Sequence, residues 1–183
     1  MTLSHALLPS QSLVTRILMV VGGSFLIALS AQIKVPMIPV PMTLQTLAIL
    51  FVGLTFGARM GALTVAAYLA EGAAGLPVFA GGATGAALVG PTAGFLFGFV
   101  AMAYLAGLAA DRGVKGLVPT LLVALAVSAL LYMPGVYWLA TFIGFEKAVV
   151  AGMMPFLVGD AVKAAIAALV VTGGWSFVKS RKS

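Results

Sequence analysis

The chain has 183 residues, of which 62% are hydrophobic and only 8% charged, and its mean hydropathy is +1.19. An ordinary soluble domain carries about 25% charged residues, so this composition excludes one and points to a single membrane domain over residues 1–183. At about 20 apolar residues per crossing, the length holds about six helices with short connections and leaves no room for a second, soluble domain.

Taken in chain order, the apolar runs predict crossings over residues 14–31, 43–56, 61–72, 92–110, 117–133 and 154–175. The second and third are short, which means that they extend into flanking residues, sit where the bilayer thins, or are covered by protein. With the amino terminus in the cytoplasm, Arg16, Arg59, Arg112, Lys115, Lys179, Arg181 and Lys182 fall inside and only Lys34 and Lys147 outside, the asymmetry expected of cytoplasmic loops. Both termini are then cytoplasmic, and the basic carboxyl-terminal tail can meet anionic membrane lipid.

That orientation sends three longer connections to the outer face, over residues 32–42, 73–91 and 134–153. Pro36, Pro39 and Pro41 make the first an extended, stiff segment. Gly75, Gly81, Gly82, Gly85 and Gly90 let the second fold tightly. Both are too apolar for freely solvated linkers, and irregular backbone near a membrane must pack on protein or line a cavity, so they are expected to cap a ligand pocket. No internal repeat of the kind that builds self-sufficient carriers is present.

The net charge of +6 does not imply nucleic acid, because the basic residues form no dense patch interleaved with aromatics. The absence of cysteine removes disulfides, thiolate nucleophiles and cysteine metal ligands together. His5, the lone histidine, lies in a polar tail beside Pro9, far from any acid, so no metal site is expected. With no convergent nucleophile, base or metal the chain is not expected to be an enzyme, and without a GxxxxGK[ST] loop it does not hydrolyse ATP by itself.

The strongest functional signal is Gly-Asp-Ala-Val-Lys at residues 159–163. An ionised group near the bilayer centre costs about 2.5–3.5 kcal/mol on insertion scales and marks function by default. Asp160 and Lys163 are three residues apart and share one helix face. They form either an internal ion pair that locks helices or ligand contacts in a pocket opening outward. Gln45 and Thr43, at the start of the second crossing, add an amide and a hydroxyl for a neutral polar solute, with Thr43 equally suited to an N-cap. Glu71 and Tyr68 at the outer end of the third crossing either face the same cavity or are solvated. Phe79, inside the glycine-rich loop, is suited to cover an apolar ring, whereas Phe95, Tyr137 and Trp138 read as an interfacial aromatic belt. Ser24 and Ala28 on the first crossing, and Gly94 and Gly98 on the fourth, are small-xxx-small pairs that allow close helix approach.

Four segments in order resemble the BioY family, the biotin-specific S components of energy-coupling factor (ECF) transporters: Pro-Val-Pro-Met-Thr-Leu-Gln-Thr (39–46), Gly-Leu-Pro-Val-Phe-Ala-Gly-Gly (75–82), Gly-Pro-Thr-Ala-Gly-Phe-Leu-Phe-Gly-Phe (90–99) and Gly-Asp-Ala-Val-Lys (159–163). The resemblance implies a six-helix protein of the bacterial cytoplasmic membrane that binds biotin as transported ligand, with no cofactor. It also implies an ECF transmembrane coupling protein and a pair of ABC-type ATPases as partners, the coupling protein meeting Ser24 and Ala28. Whether the chain moves biotin without them, as a homo-oligomer, the residues leave open. On this resemblance Asp160 accepts from a ureido N–H, and Lys163 donates to the ureido carbonyl or fixes the Asp160 charge. An S component for another small vitamin-like solute and a purely structural membrane protein are the competing readings.

Overall fold

A computed structural model describes residues 2–7 and 12–180; Pro9, Arg181 and Lys182 lie outside the described residues. The elements are α1 (Leu3–Leu7), α2 (Leu13–Gln32), β1 (Lys34–Val35), β2 (Met42–Thr43), α3 (Gln45–Phe56), α4 (Ala58–Ala73), α5 (Ala93–Asp111), α6 (Leu117–Ile143), α7 (Phe145–Gly152) and α8 (Phe156–Ser180), with 3-10 turns at Ala80–Gly82 and Gly85–Leu88. The fold is mostly helical. Four helices, α2, α5, α6 and α8, are long and apolar enough to cross a membrane. Most exposed side chains along α2, among them Leu18, Val21, Phe25 and Leu29, are themselves apolar, as lipid-facing surface should be.

α3, too short to span a bilayer by the usual count, is covered by protein. α3 packs among α2, α4, α5 and α8, and its Ile49, Leu50 and Val52 are fully buried. Gly57, at φ +86°, reverses the chain between α3 and α4 in a left-handed conformation that a residue with a Cβ rarely adopts. The carboxylate of Asp111, at the end of α5, accepts the free N–H of Ala58 at 2.9 Å and so caps the start of α4.

Backbones rather than long side chains meet at the bundle centre. Gly53 on α3 sits against the Ala103 carbonyl of α5, Gly61 on α4 against Gly53, and a Cβ at Gly107 would collide with the backbone of Gly57 and Ala58. Close approach of this kind is how membrane helices gain packing energy when lipid is as apolar as leucine. Gly94 and Gly98 of α5 play the same part toward Pro134 and Leu131 of α6.

Two expectations are corrected. The segment 134–153 is not a loop: α6 continues through Pro134 to Ile143, and α7 follows after Gly144. Proline normally breaks a helix by removing an N–H and crowding the preceding turn. Here residues 135–143 are apolar, Gly94 makes room for the Pro134 carbonyl, and Trp138 donates its indole N–H to the Gly90 carbonyl at 2.9 Å. Nor is the amino terminus a polar tail. Leu3 is buried beside Gly174 of α8, and the Thr2 hydroxyl lies 3.1 Å from His5 Nδ1.

Gly107→Val is expected to destabilise the bundle by overpacking, on the scale of about 1–3 kcal/mol, and to lower the midpoint of thermal unfolding in detergent. Gly22→Ala, whose added Cβ meets nothing within 4 Å, should leave that midpoint in place. Equal midpoints for the two variants would contradict the backbone-contact account.

Candidate functional site

At one end of the bundle the two irregular segments fold over a cavity of about 200 Å³. β1 and β2 form a two-stranded antiparallel ribbon pairing Lys34 with Thr43 and Val35 with Met42, and between the strands Val40 and Pro41 reach the cavity rim. The second segment is pinned by its carbonyls. The Tyr68 hydroxyl donates to Val78 O at 3.1 Å, and the Gln32 amide to Phe79 O at 3.2 Å. Phe79 is thereby held inward at 1% exposure, edge-on to Tyr68 with ring centroids 5.2 Å apart, over Gly72, where any Cβ would strike its ring.

The cavity has a polar end and apolar walls. Asp160 and Lys163 project from one face of α8, Nζ to Oδ1 at 2.7 Å. Thr46, in the first turn of α3, donates to Asp160 Oδ1 at 3.0 Å, and Tyr132 of α6 donates to Asp160 Oδ2 at 2.6 Å. Lys163 also donates to Thr46 Oγ1 and to the Thr43 carbonyl, each at 3.0 Å. All three of its N–H bonds thus have acceptors. Asp160 is 5% and Lys163 6% exposed, a burial that is tolerable only because each charge is paired and hydrogen-bonded. Asp160 Oδ2 accepts one bond among the described residues and keeps further capacity for a donor in the cavity.

Gln45 extends this network outward. Its amide donates to the Tyr68 hydroxyl at 2.7 Å, and its oxygen accepts from Thr43 Oγ1 at 2.9 Å. Thr43 does not occupy the N-cap position, which belongs to Leu44, yet its hydroxyl accepts the Gln45 N–H at 3.2 Å and so satisfies one of the free donors of α3.

Five of the expected residues, Asp160, Lys163, Gln45, Thr43 and Phe79, therefore line one cavity. Tyr68 does not; it sits behind Gln45 and supports it. Glu71 is turned the other way, toward α2, where its carboxylate accepts the Ser24 hydroxyl at 2.7 Å. The same bond corrects the expectation for Ser24 and Ala28. Ser24 is 1% exposed and Ala28 packs partly buried against the core, so the pair faces into the bundle.

Thr46 and Tyr132 were missed by sequence reasoning. A phenol inside the apolar run of α6 was a usable signal, since a buried tyrosine hydroxyl needs a partner. Thr46 has no such signal, because threonine passes in an apolar helix by bonding to its own backbone. Phe95 is not a belt residue: α5 begins two residues before it, and its ring is 8% exposed in the cavity wall with Leu96, Phe99, Leu131 and Phe156. Tyr137 and Trp138 remain outward, at 75% and 37% exposure. Among the described residues no group of three or more potential metal ligands occurs.

The BioY family model matches residues 3–180. Similar proteins include a probable biotin transporter BioY from Pyrococcus horikoshii, 40% identical over 79% of this chain and 86% of that protein. The biotin transporter BioY of Rhizobium etli is 41% identical over 79% of this chain and 82% of its own length. The fold is shared with the crystal structure of the S-component for biotin from an ECF-type ABC transporter, at a TM-score of 0.76 and 23% identity, covering 95% of this chain and 96% of that one. With its family match running through both capping segments, the α3 start and the α8 ion pair, the chain belongs to the BioY family.

Proposed function

We propose that this chain binds biotin in the cavity beneath its two capping segments and serves biotin uptake across the cytoplasmic membrane as the substrate-specific component of an ECF-type transporter. The observation that carries the reading is the cavity itself: a hydrogen-bonded Asp160–Lys163 pair closes one end of a space walled largely by aromatic and aliphatic side chains in a member of a family whose relatives are named biotin transporters.

Biotin presents a ureido ring with two N–H donors and one carbonyl, a fused sulfur ring, and a pentanoate chain. A ureido N–H donates to Asp160 Oδ2, which has accepting capacity to spare. Lys163 has its N–H bonds engaged, so it fixes the Asp160 charge. The ureido carbonyl is met by the second N–H of the Gln45 amide, whose first goes to Tyr68. Phe79, Phe95, Phe99 and Phe156 enclose the sulfur ring.

The reading includes six crossings, α2 to α6 and α8, with both termini in the cytoplasm. It is supported by the distribution of Arg16, Arg59, Arg112, Lys115 and Lys179 over the chain ends and the α3–α4 and α5–α6 connections, which the positive-inside rule assigns to the cytoplasm. The cavity then opens outward. Movement of the ligand inward against a gradient requires an energy source, which in an S component is the coupling protein with its ABC-type ATPases.

Binding of radiolabelled biotin to the detergent-purified protein is expected to be saturable and displaced by unlabelled biotin. Asp160→Asn should lower affinity at least tenfold, since a charge-assisted bond contributes about 1.5–3 kcal/mol; affinity within threefold of the parent would remove Asp160 from the site. Tyr132→Phe deletes one hydrogen bond to Asp160 and should cost about fivefold.

Gly72→Ala tests the Phe79 cover. The added methyl displaces the ring, so biotin dissociation should quicken while the elution profile on size exclusion stays that of the parent. Unchanged dissociation would mean that Phe79 does not close the site.

A further inference from the structure

We infer that Lys34 binds the carboxylate of the biotin pentanoate chain at the mouth of the cavity, an assignment that rests on the biotin reading above and names a ligand contact outside the Asp160–Lys163 end. A carboxylate is ionised at neutral pH, and burying it without a cation or full hydrogen bonding is strongly unfavourable. The cavity interior offers it no free cation. The one ammonium that lines the cavity, Lys163, has all three N–H bonds directed to Asp160, Thr46 and the Thr43 carbonyl, and the remaining lining residues, the Gln45 amide and the hydroxyls of Thr43, Thr46, Thr92 and Tyr132 among them, are uncharged apart from Asp160. With the ureido ring at the polar end, the chain runs toward the capping segments, where Ala80, Ala83 and Ala87 line the rim and carry no charge.

Lys34 is the cation at that rim. In the ribbon it is paired directly with Thr43, and directly opposed residues of an antiparallel pair project to the same face; Thr43 lines the cavity. Its ammonium lies against Gly81, so close that a Cβ there would overlap it, and Gly81 is the immediate neighbour of the rim residue Ala80. The side chain thus bridges the two capping segments with its charge at their junction. Among the described residues no carboxylate neutralises it. Among the described residues the only ion pair is Asp160–Lys163, Asp111 caps Ala58, Glu71 accepts from Ser24, and Glu146 lies on α7. A cation kept free at the junction of two lids, above a cavity without an anion partner of its own, is placed to take the negative end of the ligand as the lids close.

The test compares biotin with biotin methyl ester, which keeps the rings and chain but not the charge, on the detergent-purified parent, Lys34→Met and Lys34→Arg. Competition against radiolabelled biotin gives both affinities. The parent should prefer biotin over the ester by about five- to tenfold, the scale of a partly exposed charge-assisted bond. Lys34→Met should reduce biotin to the level of the ester while leaving the ester unchanged, and Lys34→Arg should retain most of the preference. If the parent binds ester and acid equally, or if Lys34→Met weakens both by the same factor, the assignment is wrong and Lys34 acts through loop structure or on lipid headgroups. Failure of the parent to bind either compound would overturn the biotin reading itself and the Lys34 contact with it.

Discussion

The structure turns on one buried ion pair. Asp160 and Lys163 sit in a helix apolar and long enough to cross a membrane, where an unpaired charge would cost several kcal/mol. Neutralising each other is not enough, because a carboxylate and an ammonium together present more hydrogen-bonding capacity than one contact satisfies. The remainder is met by Thr46 and the Thr43 carbonyl from the start of α3 and by Tyr132 from α6. The need to satisfy two charges therefore fixes how α3, α6 and α8 converge, and the cavity is the space that their convergence leaves beside the unused face of Asp160.

The rest of the bundle makes that convergence rigid. Gly53, Gly61 and Gly107 bring α3, α4 and α5 into backbone contact, so α3 cannot shift as a unit without opening those contacts. Interiors packed this densely transmit displacement rather than absorb it. A short α3 is affordable in a membrane protein only because its neighbours shield it, and that shielding holds Gln45 and Thr46 at the depth of the ion pair.

How much of this was legible in the sequence depended on whether a residue violated its surroundings. Asp160, Lys163 and Gln45 stood out because ionised and amide groups in apolar segments demand partners, and they share the cavity. Glu71 violated the same rule but was satisfied locally by Ser24, a pairing between two helices that spacing alone does not reveal. The small-xxx-small pair of Ser24 and Ala28 shows the same limit: the pattern marks close approach, while which neighbour approaches is decided by the three-dimensional arrangement. The helical course of residues 134–143 was hidden for the opposite reason. Proline is a strong local stop signal, and here it is overridden by the room that Gly94, forty residues earlier in the chain, leaves beside it. Thr46 and Phe95 looked ordinary, as an apolar-helix threonine and an interfacial aromatic, and acquire a role only through what faces them.

The same network that satisfies the ion pair reaches both capping segments. From Lys163 it passes to the Thr43 carbonyl in the ribbon, from the Thr43 hydroxyl to Gln45, from Gln45 to Tyr68, and from Tyr68 to the Val78 carbonyl beside Phe79. Lifting either segment away from the cavity breaks at least one of these bonds, and a buried donor or acceptor left unmade costs about 1–3 kcal/mol. An open state in which water replaces the lost partners recovers much of that cost, whereas an empty, dry open state does not. Opening toward water and holding a ligand are thus alternative ways of satisfying the same polar groups. On the proposed reading, a ureido ring that supplies a donor to Asp160 and an acceptor to Gln45 would stabilise the closed arrangement at the positions from which the bonds to the two segments originate. Recognition and closure would then depend on one set of hydrogen bonds, and a ligand able to complete that set would also be the one able to hold the segments shut.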